Sequence, residues 1–293
     1  MSFKHSLDWA YLDVAAAVER LWPDRGARAV PLSGGITNHN FKVDVRGEAF
    51  VLRMGGAQTG LLGIDRRVEH EASLRAAEVG LGPEVAGFLE DEGWLVTRFI
   101  EGRPIPPEEM RRPDTIRRVA AALRKFHDSE PISGHFDAHV VVEEYCREAE
   151  AHGVDIPAAY AGAHAMSERI RRVRGPQQSV PCHNDLLNAN FLDDGAIRIV
   201  DWEYAGMGDR FFDLANLSVN HEFAAAEDEV LLDAYFDDAS EERLASLAMM
   251  KFMSDFREAM WGVLQSGISE LDFDFKGYAT EHFARLNFES AGA

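Results

Sequence analysis

An α+β chain in two lobes is the architecture the sequence predicts, and three observations predict it. The first hundred residues break into short runs rich in β-branched and aromatic side chains. From Glu101 onward the apolar residues recur at helical spacing instead. Between the two textures lies Gly102-Arg103-Pro104-Ile105-Pro106-Pro107, the one Pro/Gly-rich joint of any length. A small β-rich lobe over residues 1–100 and a larger helical lobe over 101–293 follow, with the joint as the natural boundary.

Each element has its own justification. Leu12, Ala15, Val18 and Trp22 stand three and four apart, so residues 8–22 read as an amphipathic helix stopped by Pro23. Residues 28–32, 41–45 and 49–54 read as antiparallel strands split by Gly34-Gly35 and Gly47. Residues 66–79 form a helix ended by Gly80 and Pro83, and 85–89 with 94–100 form a hairpin around Asp91-Glu92-Gly93. Beyond the joint, Ile116, Val119, Ala120, Leu123 and Phe126 mark one helical face, and 225–236 and 240–266 mark two more helices. One β-like interruption, 182–201, breaks this helical run with strand patches at 190–192 and 197–200.

Composition narrows the function classes. Thirty Lys and Arg face fifty Asp and Glu in 293 residues, a formal net charge of −20. Nucleic acid and anionic membrane are therefore poor partners, since both need a basic patch, whereas a small cationic substrate suits the balance. Two cysteines, Cys146 and Cys182, are too few for a disulfide framework and point to a reducing compartment. Asp8 and Asp13 interrupt the first apolar stretch, against a secretory signal, and no run of 18 apolar residues exists. A cytoplasmic location is the expectation.

The strongest chemical signal is His183-Asn184-Asp185-Leu186-Leu187-Asn188-Ala189-Asn190, which fits H-x-D-x-x-x-x-N. In phosphoryl-transfer enzymes with this loop the Asp receives the hydroxyl proton and the Asn holds magnesium. The same residues would also build an ordinary Asx-rich turn. What tips the balance is Ile197-Arg198-Ile199-Val200-Asp201, a strand ending in a carboxylate just after the loop. Transfer of a phosphoryl group needs a hard cation, and a hard cation needs such oxygen donors. Trp202-Glu203 follow Asp201 in place of Phe-Gly, so this is not a protein-kinase sequence.

The N-terminal lobe supplies a nucleotide side. Gly34, Gly35, Ile36, Thr37 and Asn38 lie between two strands, where glycines let backbone N–H groups approach phosphate oxygens; a plain hairpin turn has the same look. Arg53 ends a strand as a cation for the phosphates, and Glu69 on the next helix is a candidate ion-pair partner for it. Neither a P-loop nor G-x-G-x-x-G at a strand-to-helix turn is present.

These segments together resemble the choline/ethanolamine kinase family, within the wider aminoglycoside-phosphotransferase-like group of small-molecule kinases. The carrying stretches are Leu32-Ser-Gly-Gly-Ile-Thr-Asn-His-Asn-Phe-Lys-Val43, Phe50-Val-Leu-Arg53, Gly80-Leu-Gly-Pro83, Thr97-Arg-Phe-Ile-Glu-Gly102, and Cys182 to Asn190. Ile199 to Gly206, Asp209 to Asn216, Asp255-Phe-Arg-Glu-Ala-Met-Trp-Gly262 and Phe273 to Tyr278 complete them. The catalytic loop belongs to the whole group; Arg53 and the Trp261 and Tyr278 segments point to the choline branch. The resemblance implies a bilobal protein-kinase-like fold binding ATP and Mg2+ in its cleft, with a hinge at about 97–101 and Thr97, Phe99 and Ile100 beside the adenine. It makes Asp185 the base, with His183 and Asn190 in the catalytic loop, and Asn190 and Asp201 the metal ligands. It makes Arg53 and Glu69 the phosphate-side pair, and Trp261, Phe273 and Tyr278 the wall for a quaternary ammonium, with acidic help from Glu222 or Asn220. Aromatic faces attract such a cation by about 0.5–2 kcal/mol per ring. Where some members carry a second tryptophan, this chain has Glu258. The expected reaction is ATP-dependent phosphorylation of choline or ethanolamine. Another small alcohol (an aminoglycoside, a thiamine-like compound or an amino sugar) and a pseudokinase binding module are the alternatives.

Overall fold

The computed structural model describes residues 14–32, 38–55, 59–288 and 291. By contact the chain divides into two compact units, residues 1–59 with 83–101 and residues 60–82 with 102–293. Residues 60–82, grouped above with the first hundred, thus make their contacts in the second unit, and the boundary at Glu101/Gly102 falls at the start of the Pro/Gly joint.

In the first unit, residues 14–21 are helical (α1). The strands Arg28–Pro31 (β1), Asn38–Val45 (β2), Glu48–Gly55 (β3), Val85–Leu89 (β4) and Trp94–Arg98 (β5) form an antiparallel sheet in the order β1-β2-β3-β5-β4. Side chains alternate across a strand, so Phe41, Val43 and Val45 of β2 and Phe50, Leu52 and Met54 of β3 share one buried face. Val14, Ala17 and Val18 of α1 pack in the same cluster. Each large apolar side chain closed off there contributes about 1.5–3 kcal/mol, enough to seat the helix on the sheet.

The second unit begins with Arg66–Glu78 (α2), capped by Asp65, whose side chain accepts from the Arg67 and Val68 N–H groups. After Arg103–Pro104 (β6) come Pro107–Met110 (α3), Pro113–His127 (α4), Ala138–Ala151 (α5) and Ala159–Arg174 (α6). Then follow Ser179–Cys182 (β7), Phe191–Asp193 (β8), Ile197–Ile199 (β9) and Gly206–Asp209 (β10), and finally Arg210–Asn220 (α7), Ala225–Phe236 (α8), Glu241–Ile268 (α9) and Phe275–Arg285 (α10). β7 pairs with β10, and β8 pairs with β6 and β9, all antiparallel. The catalytic-loop sequence is therefore the link from one short ribbon to the next. A side chain at Gly206 or Gly208 would meet the backbone of residues 135–136 at 2.9 Å, so only glycine lets that segment lie against β10.

Helix α9 organises this unit. It packs against α5, α7 and α10, and every residue from Phe252 to Gln265 is buried. A helix enclosed on all sides drags its polar residues inside with it, so Asp255, Arg257 and Glu258 must find partners there. No helix among the described residues is long and apolar enough to cross a membrane.

Candidate functional site

The loop after β7 is built by its backbone. Asp213 of α7, fully buried, accepts from the His183 N–H at 2.7 Å and the Asn184 N–H at 2.6 Å, and Asn216 one turn on accepts from Leu186 N–H at 2.6 Å. Burial alone would raise the Asp213 pKa, but hydrogen bonds and charge from His127, with the His183 side helping, hold it below the usual carboxylate range. His183 Nδ1 accepts from the Asp185 N–H at 3.2 Å, which leaves Nε2–H to donate to Val200 O at 3.0 Å. His183 thus fixes the loop's shape. Asn184 sits at φ 67° and Asp201 at φ 69°, left-handed positions that non-glycine residues keep only when their surroundings hold them.

Asp185 emerges from this scaffold with its side chain against α9. Arg257 Nη2 donates to its Oδ1 at 3.3 Å and to Asn184 O, while Nη1 donates to Glu258 Oε1 at 2.7 Å. Glu258 Oε2 accepts from the Tyr278 hydroxyl at 2.8 Å. Trp261 Nε1–H donates to the Tyr204 hydroxyl at 3.1 Å; its ring stands 5.6 Å from that of Tyr278, and the Arg257 guanidinium lies 5.1 Å from the Tyr204 ring. Burial raises the Asp185 pKa to about 8: Arg257 opposes the rise, and Glu258, Asp201 and Glu203 add to it. A carboxylate so placed is matched to taking a proton near neutrality.

Asn190 donates its amide N–H to Asp185 O at 2.9 Å, which commits the nitrogen to the loop and leaves the amide oxygen as its donor atom for a cation. Asp201 lies two residues past the end of β9, and its charge is felt at Asp185. Oxygen donors of this kind fit a hard divalent ion such as Mg2+.

The remaining residues singled out from the sequence divide as follows. Glu69 is buried and accepts from Arg66 at 2.6 Å; the same Arg66 reaches Glu203 at 3.3 Å, tying α2 to the segment after Asp201. Arg53, on β3, and Thr97, Phe99 and Ile100, on β5 and just after it, belong to the first unit. There the Phe99 ring carries the Lys42 ammonium 3.8 Å away. Asn38 is the buried first residue of β2, whereas Gly34, Gly35, Ile36 and Thr37 lie outside the described residues. Phe273 is 47% exposed, 6.1 Å from the Tyr278 ring. Asn220 donates to Asn216 at 3.1 Å, one step behind the loop, and the exposed Glu222 takes Arg111 as its ion-pair partner at 3.4 Å. The structure brings the Trp261 and Tyr278 rings together, with Tyr278 linked to Asp185 through Glu258 and Arg257, and pairs the exposed Glu222 with Arg111.

Sequence reasoning passed over Tyr204 and Arg257 as site residues and took Glu258 only as a missing aromatic. The signal was present in Asp255-Phe256-Arg257-Glu258, three charges inside the otherwise uncharged stretch 252–264 of the helix.

The comparisons with known proteins bear on the family and the fold. The sequence model described as choline/ethanolamine kinase matches residues 30–230, more than half of the chain. The chain belongs to the choline/ethanolamine kinase family. That family of phosphotransferases includes, among solved structures, a choline/ethanolamine kinase family protein from Mesorhizobium loti. It is 32% identical with a TM-score of 0.79, over 94% of this chain and 93% of that one. Protein LicA of Haemophilus influenzae is 26% identical over 218 residues, 71% of this chain but only 63% of that protein. A LicA structure in complex with AMP shares the fold at 22% identity and a TM-score of 0.77, covering 96% of this chain and 97% of that one. Kinase-like architecture, an N-terminal antiparallel sheet followed by a mostly helical part, is common to them.

Proposed function

We propose that this chain transfers the γ-phosphoryl group of ATP to the hydroxyl of ethanolamine or choline, with ethanolamine preferred. What carries the reading is the meeting of a loop-borne, buried Asp185 with Tyr204, Trp261, Tyr278 and Glu258 in a member of this family. Asp185 takes the hydroxyl proton as the substrate oxygen bonds to the γ-phosphorus and ADP leaves. Arg257 holds its Oδ1, which leaves Oδ2 for the substrate hydroxyl. Asn190 and Asp201 hold Mg2+, whose chemistry is to neutralise the phosphate oxygens. The nucleotide side falls to Asn38 with the preceding Gly34–Thr37 segment, to Arg53, and to Thr97, Phe99 and Ile100. Glu69 acts with Arg66 and Glu203 to steady the segment after Asp201.

The preference for ethanolamine rests on Glu258. A quaternary ammonium has no proton to donate and asks only for aromatic faces, whereas a primary ammonium also rewards an acceptor. Glu258 supplies a buried carboxylate beside Tyr278, and Trp261 with Tyr278 supplies two aromatic faces. ADP release measured with choline, ethanolamine, thiamine and an aminoglycoside tests both levels. Expected is amine-dependent turnover with the lower KM for ethanolamine, and a Glu258→Gln variant in which that preference shrinks by about tenfold, equivalent to 1.4 kcal/mol. ADP release indifferent to both amines, or driven by thiamine or the aminoglycoside alone, overturns the assignment.

A further inference from the structure

Helices α9 and α10 meet in three successive contacts. Asp255 Oδ1 accepts from His282 Nδ1–H at 2.8 Å, Glu258 Oε2 accepts from the Tyr278 hydroxyl at 2.8 Å, and Gly262 lies against Phe275, Tyr278 and Ala279. Steps of three and four forward along α9 are matched by a step of four back along α10, so the helices pass antiparallel with one face of each in register. The middle contact belongs to the proposed amine site, and the outer two bracket it.

Each bracket is specific. A Cβ on Gly262 would stand 3.0 Å from Tyr278 Cδ1, 3.1 Å from Phe275 O and 3.2 Å from Ala279 Cβ, so glycine, a poor residue for a helix interior, is what lets α10 lie this close. At the other end Asp255 and His282 are both buried, and the His282 ring stands 4.5 Å from the Tyr278 ring, one turn away on α10. A carboxylate only accepts, so Nδ1 carries the proton that ties His282 to α9. Tyr278 matters for what it does to Glu258. That carboxylate takes Arg257 on Oε1 and Tyr278 on Oε2, and each oxygen keeps a further lone pair for an ammonium proton. Arg257 is tied to the catalytic loop through Asp185 and Asn184 O, so Tyr278 is the α10 group that sets which way those lone pairs point.

We propose that His282, anchored by Asp255, is a positioning residue for the amine: it fixes the Tyr278 hydroxyl on Glu258 and so determines how well a primary ammonium is held. This role rests on the reading of Glu258, Trp261 and Tyr278 as the amine site, and it adds a buried pair outside the residues assigned to substrate and nucleotide. Choline, with no ammonium proton to donate, depends less on where the Glu258 lone pairs point.

Steady-state kinetics on the full chain, with ethanolamine, choline and ATP varied in turn, tests this role. His282→Phe keeps a ring beside Tyr278 but loses the N–H to Asp255. The ethanolamine KM should rise about three- to tenfold and the choline KM less, with kcat and the ATP KM within about twofold of the parent. A merely structural loss lowers the folded fraction and hence kcat, and leaves KM where it was. Asp255→Ala breaks the same contact from α9 and should match His282→Phe, whereas Asp255→Asn keeps an acceptor for the N–H and should restore the parent's KM. Added to Tyr278→Phe, which removes the hydroxyl, His282→Phe should raise the KM no further, because it acts through that hydroxyl. An ethanolamine KM that rises in Tyr278→Phe but not in His282→Phe or Asp255→Ala overturns the role of His282 and leaves the amine site standing. Additive losses in the double variant do the same. A parent that turns over neither amine overturns the amine site itself, and this role with it. If His282→Phe fails to fold, the two Asp255 variants decide: equal KM values for Asp255→Ala and Asp255→Asn overturn the role.

Discussion

The catalytic loop and the middle of α9 meet at Asp185, yet they are held in opposite ways. From His183 to Leu187 every backbone N–H has an acceptor: Asp213 for two, the His183 ring, Asn216, and Asp185 O. The loop is positioned through its main chain, with the His183 ring among the acceptors, which frees the Asp185 side chain for chemistry. On α9 the contacts start from side chains, from Arg257, Glu258 and Trp261 to Asp185, Tyr278 and Tyr204, with one further bond from Arg257 to Asn184 O. An element held through its backbone fails when an acceptor is lost, whether a distant one such as Asp213 or one of its own such as the His183 ring. A side-chain-held element can change what it recognises one residue at a time. Chemistry and selectivity therefore sit on separable supports.

The largest effect should come from breaking the loop's support. Asp213→Ala leaves two buried N–H groups and His127 without their acceptor, and should cost about 3–5 kcal/mol in denaturant melts. A loss below about 1 kcal/mol would mean the loop is held by something other than its backbone.

A second effect sharpens the same side. His221 caps α7 at its C-terminal end, donates Nδ1–H to Leu217 O at 2.8 Å, and lies against the rings of Phe191 and Phe223. Burial lowers its pKa from 6.5 to about 4, with the Arg111 charge adding to the fall and the Leu217 bond opposing it. Between those values the unfolded chain binds a proton that the folded one refuses, so stability falls as pH drops below 6.5 and keeps falling until about 4. From pH 7 to pH 5 the loss should be about 2 kcal/mol. Urea melts at both pH values on the parent and on His221→Leu check it: the variant should lose less by about that amount, and equal slopes would contradict the account.

On the α9 side, Trp261→Leu keeps bulk but removes a π face and the donor to Tyr204. The amine KM should rise about five- to thirtyfold, or 1–2 kcal/mol, with a modest change in melting temperature. Large destabilisation with an unchanged KM would return Trp261 to the core, where its 7% exposure also fits. The smallest effect belongs to Arg53→Lys, which keeps the charge but not the fork. An ATP KM raised about threefold with the amine KM unmoved is expected, and an unmoved ATP KM would leave Arg53 without a nucleotide role.

The contrast also explains what could be read from the sequence. The loop was legible because its chemistry needs fixed residue types at fixed spacing, and because a strand ending in Asp201 follows it. The first unit's strands were legible because one buried face imposes a period of two. Arg257 and Glu258 were not, since a helical pattern marks charges as solvent-facing, and only the enclosure of α9 by three other helices reverses that. Glu69 was read as a partner for Arg53; Glu69 also accepts from Arg66 at 2.6 Å, three residues earlier, a local pairing at helical spacing that the reading did not single out. α5 and α7 were not singled out, although Asp137 and Asp209 both cap them with a side-chain hydrogen bond, a signal available at the sequence level.

The most direct test of the central claim is phosphoryl transfer by Asp185→Asn. With saturating ATP, Mg2+ and ethanolamine, phosphorylated ethanolamine is followed by phosphorus NMR beside the parent, and nucleotide affinity is measured on the same samples. Removing the base without changing its shape should lower kcat by about a hundredfold or more while ATP binding stays within about twofold. Turnover close to the parent's, with ATP bound equally well, would contradict the assignment of Asp185 and the reading of this site as a hydroxyl-phosphorylating one.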